Sequence, residues 1–401
     1  MLTLEDRLTR IDRRAGIILV TYALLLATQI SPWWNATRDG LNYLSISRSI
    51  ADGRLARLGE PHLHYAPGYS ALISPAFLTG ERPFLAISII HWLLAVGIMI
   101  GVYYWSRRVA TTSAALLITG LVVLSTGFWD HLRTTQSEVA FMAAWIATLL
   151  AMERLAAIAS RKEPRADALR TIVFYAALAT IFLIVTSLIR HVGIFLAAGF
   201  GVRMLILAWT RALSWARAIT LTLVIGVTAS AALLALIAYD ASTAEATEKK
   251  SYAEYFSGDD VSILSELHTG VRLRFEDIGR RTVPGMFKAY RPGWINPNTP
   301  IYLVMIVLIG IGWWRLVRRK SDIFALTAPF YLALYIFWPF GQETRYVFPL
   351  LPLLFLCFWC AIESARRHRL SILAILLSAH LLIAIGYTIV KMRTIARDDR
   401  L

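Results

Sequence analysis

The chain has 401 residues, of which 57% are hydrophobic and 17% charged, and its mean hydropathy is +0.58. Soluble domains are roughly 45–50% apolar, so this composition excludes an ordinary water-soluble globular protein. Lys and Arg outnumber Asp and Glu by 41 to 26, a net charge of +15, yet they flank apolar runs and build no basic domain, which argues against a nucleic-acid-binding module.

In a bilayer the backbone must satisfy its own hydrogen bonds, so a span is about 20 mostly apolar residues in helical form. Eleven such segments follow one another: 15–33, 84–105, 112–129, 138–157, 170–188, 191–209, 218–239, 300–317, 322–340, 345–363 and 370–390. The expected fold is therefore an all-α polytopic membrane protein, a single membrane domain over 1–401 with about 11 transmembrane helices. The first segment follows Arg13 and Arg14 and reads as a retained span, because Ser31–Asn35 lacks the small-residue pattern of a signal cleavage site. Cys357 and Cys360 have CxxC spacing, but inside an apolar run they read as two small residues one helical turn apart.

Loop charges set the orientation. With the N-terminus in the cytoplasm, the inside loops collect Arg107 and Arg108, Arg161 to Arg170, Arg211 and Arg217, Arg315 to Lys320, and Arg366 to Arg369. The short outside loops carry Arg133, Arg190 and Arg345 singly; the basic C-terminal tail is the one mild violation. Two long loops, 34–83 and 240–299, fall outside. The first reads as an amphipathic juxtamembrane helix from about Asp39 to Asp52, a Tyr65–Tyr69 turn (YAPGY), and a second helix from about Tyr69 to Leu78. The second has a helical stretch at about Val261–Ile278 and a Pro- and Gly-rich end. No inverted repeat of the transporter kind is present.

Several polar groups are candidates for chemistry. Asp39 could serve as a general base at the membrane surface, or simply cap the helix that follows. Glu138 opens the fourth span as a second acid, or as a partner for the helix dipole. Arg190 and His191 lie between two spans and could make a cationic contact to a phosphate, which the planar fork of Arg190 suits, or they snorkel to the interface. Arg345 and Tyr346 open the tenth span ahead of Pro349 and Pro352, which give that helix an irregular start. His62 and His64 form a loop pair without an obvious third metal ligand, so a phosphate or head-group contact suits His64 better than a metal, and ordinary solvated loop histidines are the plainest reading. Asp39, His64, Glu138, Arg190 and Arg345 come from five segments, and the charge-bias topology puts all of them on the outer face.

The order of these elements resembles the GT-C glycosyltransferases. Asp39 with Tyr43, the surface helix ending at Asp52-Gly53, and Tyr65-Ala66-Pro67-Gly68-Tyr69 resemble their first extracytoplasmic loop. Ser137-Glu138 resembles their second acidic position, Arg190 with Gly193 an Arg-bearing span end, and Arg345-Tyr346 with Pro349 their late Arg-Tyr-x-x-Pro motif. The nearest group is the bacterial relatives of protein O-mannosyltransferases and lipid A aminoarabinose transferases. Gly40 stands where relatives often carry a second acid, which puts a two-carboxylate site in question.

The resemblance implies an inverting glycosyltransferase of the bacterial inner membrane, with its site on the extracytoplasmic side. A polyprenyl-phosphate-linked sugar would be the donor and a lipid, polysaccharide or protein hydroxyl the acceptor. Asp39 would be catalytic; Arg345, Arg190 and His64 would hold phosphate; Tyr346, Tyr65, Tyr43 and Glu138 would complete the site. No cofactor is expected, and a divalent metal is left open. The alternatives are a lipid or sugar-lipid transporter (flippase), and a membrane acyltransferase using His91 or His380.

Overall fold

The structure is a computed structural model that describes residues 13–33, 35, 37–60, 65–80, 82–161, 168–246, 299–337, 345–365 and 367–398. Among these the protein is helical, with two isolated β-bridges and no strand. Helix α1 spans Arg13–Ala27, α2 Arg38–Ala51, and α3 Gly68–Ile73, which runs into a 3-10 turn at Ser74–Thr79. Next come α4 (Phe84–Arg107), α5 (Thr112–Val123), α6 (Thr126–Arg133), α7 (Glu138–Ala159), α8 (Ala168–Ile189), α9 (Phe195–Trp209) and α10 (Trp215–Ala246). The last four are α11 (Thr299–Lys320), α12 (Ile323–Phe337), α13 (Leu351–Ala361) and α14 (Arg369–Asp398).

Every expected span falls on a helix. Seven helices are long and apolar enough to cross a bilayer, and α5 with α6 makes an eighth if the pair, bent by 52°, is one span. The bend follows from sequence: Ser125 ends α5 and caps α6, its Oγ accepting from the Phe128 N–H at 3.3 Å. The other three expected spans lie on α1, α12 and α13, of 15, 15 and 11 residues. At 1.5 Å per residue these are shorter than a hydrocarbon core of about 30 Å, so length and composition support seven or eight of the eleven crossings. Nearly all of α13 is buried inside the bundle. The chain is an integral membrane protein.

The most deeply buried candidate span is α7, and the least buried is α10. Lipid tails are as apolar as Leu, so helices associate in a bilayer through close packing and interhelical polar contacts. Trp145 of α7 shows the packing: it is fully buried and meets the rings of Phe141, Phe324 and Tyr331. The polar contacts include Thr148 to Thr186 between α7 and α8 at 2.9 Å, and the Trp313 indole to the Ala325 carbonyl at 2.7 Å.

One buried ion cluster ties the helix ends that the loop charges predict to be cytoplasmic, the inner end by that prediction. Arg108, just past α4, pairs with Glu153 of α7 at 2.6 Å and with Asp322 at 3.4 Å. The Trp105 indole donates to Asp322 at 3.1 Å, and the Ile323 amide donates to Glu153 at 2.8 Å. Asp322 also caps α12, accepting from the Phe324 and Ala325 amides at 3.0 and 3.3 Å.

Helix α2 lies at the opposite end, the outer one by the same prediction, burying Tyr43, Ile46 and Ser47 while Leu41 stays half exposed. Thr37 caps it: its hydroxyl accepts from the Gly40 amide at 2.9 Å. The cap is therefore Thr37, and the Asp39 carboxylate engages other groups. The expected helix at Val261–Ile278, like His64, lies outside the described residues.

Candidate active site

Asp39, Glu138, Arg190 and Arg345 meet at the outer end of the bundle. Asp39 sits in the first turn of α2 and Glu138 in the first turn of α7. Arg190 lies between α8 and a 3-10 turn at His191–Ile194, and Arg345 lies just before the 3-10 turn Phe348–Leu350 that leads into α13. Pro349 and Pro352 account for that start, since each removes a backbone donor that a continuous helix would use.

The Arg345 guanidinium bridges the two acids, donating through Nη1 to Asp39 Oδ2 and through Nε to Glu138 Oε1. Arg190 donates to the same Glu138 oxygen at 3.0 Å. Its guanidinium carbon also lies 5.0 Å from the Tyr346 ring centre and 5.7 Å from that of Phe141. Glu138 is fully buried, and its Oε2 has no hydrogen-bond partner among the described residues. The Asp39 side chain keeps 24% of its surface exposed. Burial opposes the charge on Arg190, but the Glu138 carboxylate outweighs it and holds the guanidinium above the ordinary arginine value.

Three tyrosines order the carboxylate side. Tyr65 donates to Asp39 Oδ1 at 3.2 Å and accepts from Asn42 at 3.4 Å. Tyr43 donates to Ser137 at 3.3 Å, and its ring meets those of Tyr65 and Tyr69 edge-on at 5.3 and 4.9 Å. Burial, and then the Glu138 charge, push the Tyr43 phenol up to about 12, so it remains a neutral donor. Behind them Tyr69 bonds His91 Nε2 at 2.9 Å, while His91 Nδ1 faces the Leu132 carbonyl at 3.2 Å. A carbonyl only accepts, so Nδ1 carries the proton and Nε2 accepts from Tyr69. Buried and fully engaged, His91 does not suit the role of an acyltransferase base.

Two close backbone approaches position Arg190. A Cβ on Gly68 would lie 2.6 Å from the Leu188 carbonyl carbon, and one on Gly193 would lie 2.8 Å from that of Thr186. Only glycine lets α3 and the 3-10 turn press this tightly against the end of α8. The YAPGY glycine and the glycine three residues past Arg190 thus serve the same end.

A cavity of about 370 Å³ opens beside the cluster. Asp39, Tyr43, Tyr65, Arg190, His191, Arg345 and Tyr346 line it on the polar side, and Ile189, Val192, Ile194, Phe195, Leu233 and Leu334 on the apolar side. Such a cavity suits an amphiphile: the arginine forks match an anionic oxygen group, and the aliphatic wall accepts a hydrocarbon chain. Among the described residues no three His, Cys, Asp or Glu side chains are arranged to hold a metal ion.

Seven of the eight sequence-selected residues are thereby placed: Asp39, Tyr43, Tyr65, Arg190, Arg345 and Tyr346 on the cavity, and Glu138 behind it as the buried partner of both arginines. Sequence reasoning noted His191 only as the neighbour of Arg190, and it did not select Phe195, Leu233 and Leu334, because inside apolar spans they carry no distinguishing signal. His131 also went unselected; the bend after α5 brings it within electrostatic reach of Glu138.

No family model matches the chain, and no curated protein matches it in sequence. Solved structures do match in fold. ArnT from Cupriavidus metallidurans bound to undecaprenyl phosphate superposes with a TM-score of 0.54 at 14% identity, over 87% of this chain and 60% of ArnT. The oligosaccharyltransferase AglB from Archaeoglobus fulgidus, in complex with an inhibitory peptide and a dolichol-phosphate, gives 0.57 at 12% identity, over 94% of this chain and 56% of AglB. The chain thus spans well under two thirds of the length of either. At these identities the likeness is one of fold, and the fold of this chain is the GT-C fold of the glycosyltransferases ArnT and AglB.

Proposed function

We propose that this chain is an inverting glycosyltransferase that moves a sugar from a polyprenyl-phosphate donor to an acceptor hydroxyl at the outer face of a bacterial inner membrane. One observation carries the reading: a single cavity joins a carboxylate and two guanidiniums to an aliphatic wall. The lipid phosphates held by ArnT and AglB in their solved structures support a donor of this kind.

In this mechanism the donor phosphate lies against Arg345 and Arg190, and its first isoprene units lie along Phe195, Leu233 and Leu334. The acceptor hydroxyl approaches the anomeric carbon from the side opposite the phosphate. The new carbon–oxygen bond forms as the carbon–phosphate oxygen bond breaks, which inverts the anomeric centre. The hydroxyl proton passes to Asp39, and polyprenyl phosphate departs. Negative charge grows on the leaving oxygen, where fixed cations stabilise the transition state more than the ground state. Arg345 exchanges part of its contact with Asp39 for the phosphate, which frees the carboxylate to accept the proton. Tyr65 holds the other Asp39 oxygen and orients it, and Tyr346 and Tyr43 line the sugar's place.

A lipid or sugar-lipid flippase is the second reading. Such a protein places charge near the bilayer midplane on broken helices, whereas the ion clusters here sit at helix ends. Purified protein in nanodiscs, given a panel of polyprenyl-phosphate sugars with lipid, polysaccharide and peptide acceptors, separates the two. Acceptor-dependent release of polyprenyl phosphate, with the product anomer opposite to the donor's, is expected. Transbilayer movement of the intact donor without any release would overturn the proposal in favour of the flippase.

A further inference from the structure

We infer that His191 is a third cationic residue of the donor site, holding the phosphate monoester as an imidazolium that forms when the donor binds. The inference rests on the donor reading above and extends it to the neighbour of Arg190, to which the family resemblance assigns no role.

The first ground is position. His191 lines the same cavity as Asp39, Arg190 and Arg345. It follows Arg190 directly and opens the tight 3-10 turn that Gly193 presses onto α8. Its backbone is thus held against the wall that carries the arginine fork.

The second ground is charge balance. Arg345 is shared by Asp39 and Glu138, and Arg190 is engaged by Glu138. Two guanidiniums against two carboxylates leave this cluster neutral before any donor arrives. A phosphate monoester brings between one and two negative charges near neutral pH, and burying that charge without compensation is costly. Of the cavity-lining groups, His191 is the side chain whose ordinary range lets it take up a proton around neutral pH.

The third ground is the surroundings. Burial is the strongest influence on His191 and disfavours its charge, as neighbouring Arg190 does, while Asp240 of α10 opposes both. Asp39, Tyr43, Tyr65, Arg345 and Tyr346 share the cavity. A bound phosphate adds negative charge to this setting and favours the imidazolium, so donor binding and proton uptake are linked.

The test uses full-length protein in nanodiscs and undecaprenyl phosphate, without sugar, as the probe. Affinity is measured from about pH 5.5 to about pH 8.5 for the wild type, His191→Gln, Asp240→Asn and Arg345→Ala. A charged hydrogen bond is commonly worth about tenfold or more in affinity, so His191→Gln should bind about tenfold more weakly at the acid end and approach the wild type at the alkaline end. In Asp240→Asn the wild-type advantage should vanish at a lower pH than in the parent. Proton uptake on binding, measured calorimetrically in buffers of different ionisation enthalpy, checks the wild type without any substitution. Parallel affinity curves for the wild type and His191→Gln, or equal proton uptake by both, would overturn the assignment. Failure of the wild type to bind undecaprenyl phosphate at all would overturn the donor reading and this inference together. A retained His191 effect with Arg345→Ala unimpaired supports His191 and removes Arg345 from the phosphate.

Discussion

Two buried ion clusters occupy opposite ends of α7. Glu138 and Glu153 are 15 residues apart on it, about 22 Å along the axis. Each cluster shares one arginine between two carboxylates: Arg345 between Asp39 and Glu138, Arg108 between Glu153 and Asp322. The difference lies in what else the acids touch. At the inner end Asp322 takes two amide N–H groups and an indole, and Glu153 takes the Ile323 amide. At the outer end Glu138 keeps an unpartnered oxygen, Asp39 stays partly exposed, and the cluster opens on a cavity. A cluster whose acids are closed off by backbone donors serves structure. One with spare acceptor capacity facing a cavity is suited to chemistry, because its groups can change partners.

Substitutions can break this contrast. Asp39→Asn removes the proposed base while keeping its shape. Turnover should fall about 10²- to 10⁴-fold, the usual span for a lost general base, with expression and the thermal midpoint unchanged. Near-wild-type release of polyprenyl phosphate by this variant would take Asp39 out of the mechanism. Arg108→Ala should do the opposite. It strands two buried carboxylates, which costs about 3–5 kcal/mol of stability, and donor affinity per folded molecule should stay at the wild-type level. Arg345→Ala should abolish measurable donor affinity yet lower the thermal midpoint less than Arg108→Ala, because Arg190 still serves Glu138 and Asp39 can be hydrated. Equal destabilisation by the two alanines would erase the distinction between the ends.

Much of this was legible in the sequence, and unevenly so. A bilayer demands long apolar helices, so the helix positions read directly. The surface helix read as amphipathic between Asp39 and Asp52, against an observed Arg38–Ala51. Asp39, Glu138, Arg190 and Arg345 each have a bland alternative when taken alone, and only their shared face pointed to one site. The pairing itself was hidden, since Arg345 and Asp39 lie 306 positions apart and only the fold joins them. Local ambiguity hid other features. Thr37 and Asp39 are both good caps, and sequence does not say which one turns inward. The bend at Leu124-Ser125 is masked by apolar neighbours. Glu153 sits inside an apolar run, where neither its charge partner nor its capping role toward Ile323 has a local signature.

Smaller perturbations sharpen the comparison. Gly68→Ala drives a Cβ against the Leu188 and Ile189 backbone at 2.6–2.7 Å. Overpacking of this kind costs about 1–3 kcal/mol, and the strain falls on the chain that presents Arg190. Donor affinity should drop together with the thermal midpoint, whereas Gly97→Ala, whose added Cβ has nothing within 4 Å, should leave both unchanged. An intact donor affinity in Gly68→Ala would separate the glycine from the site.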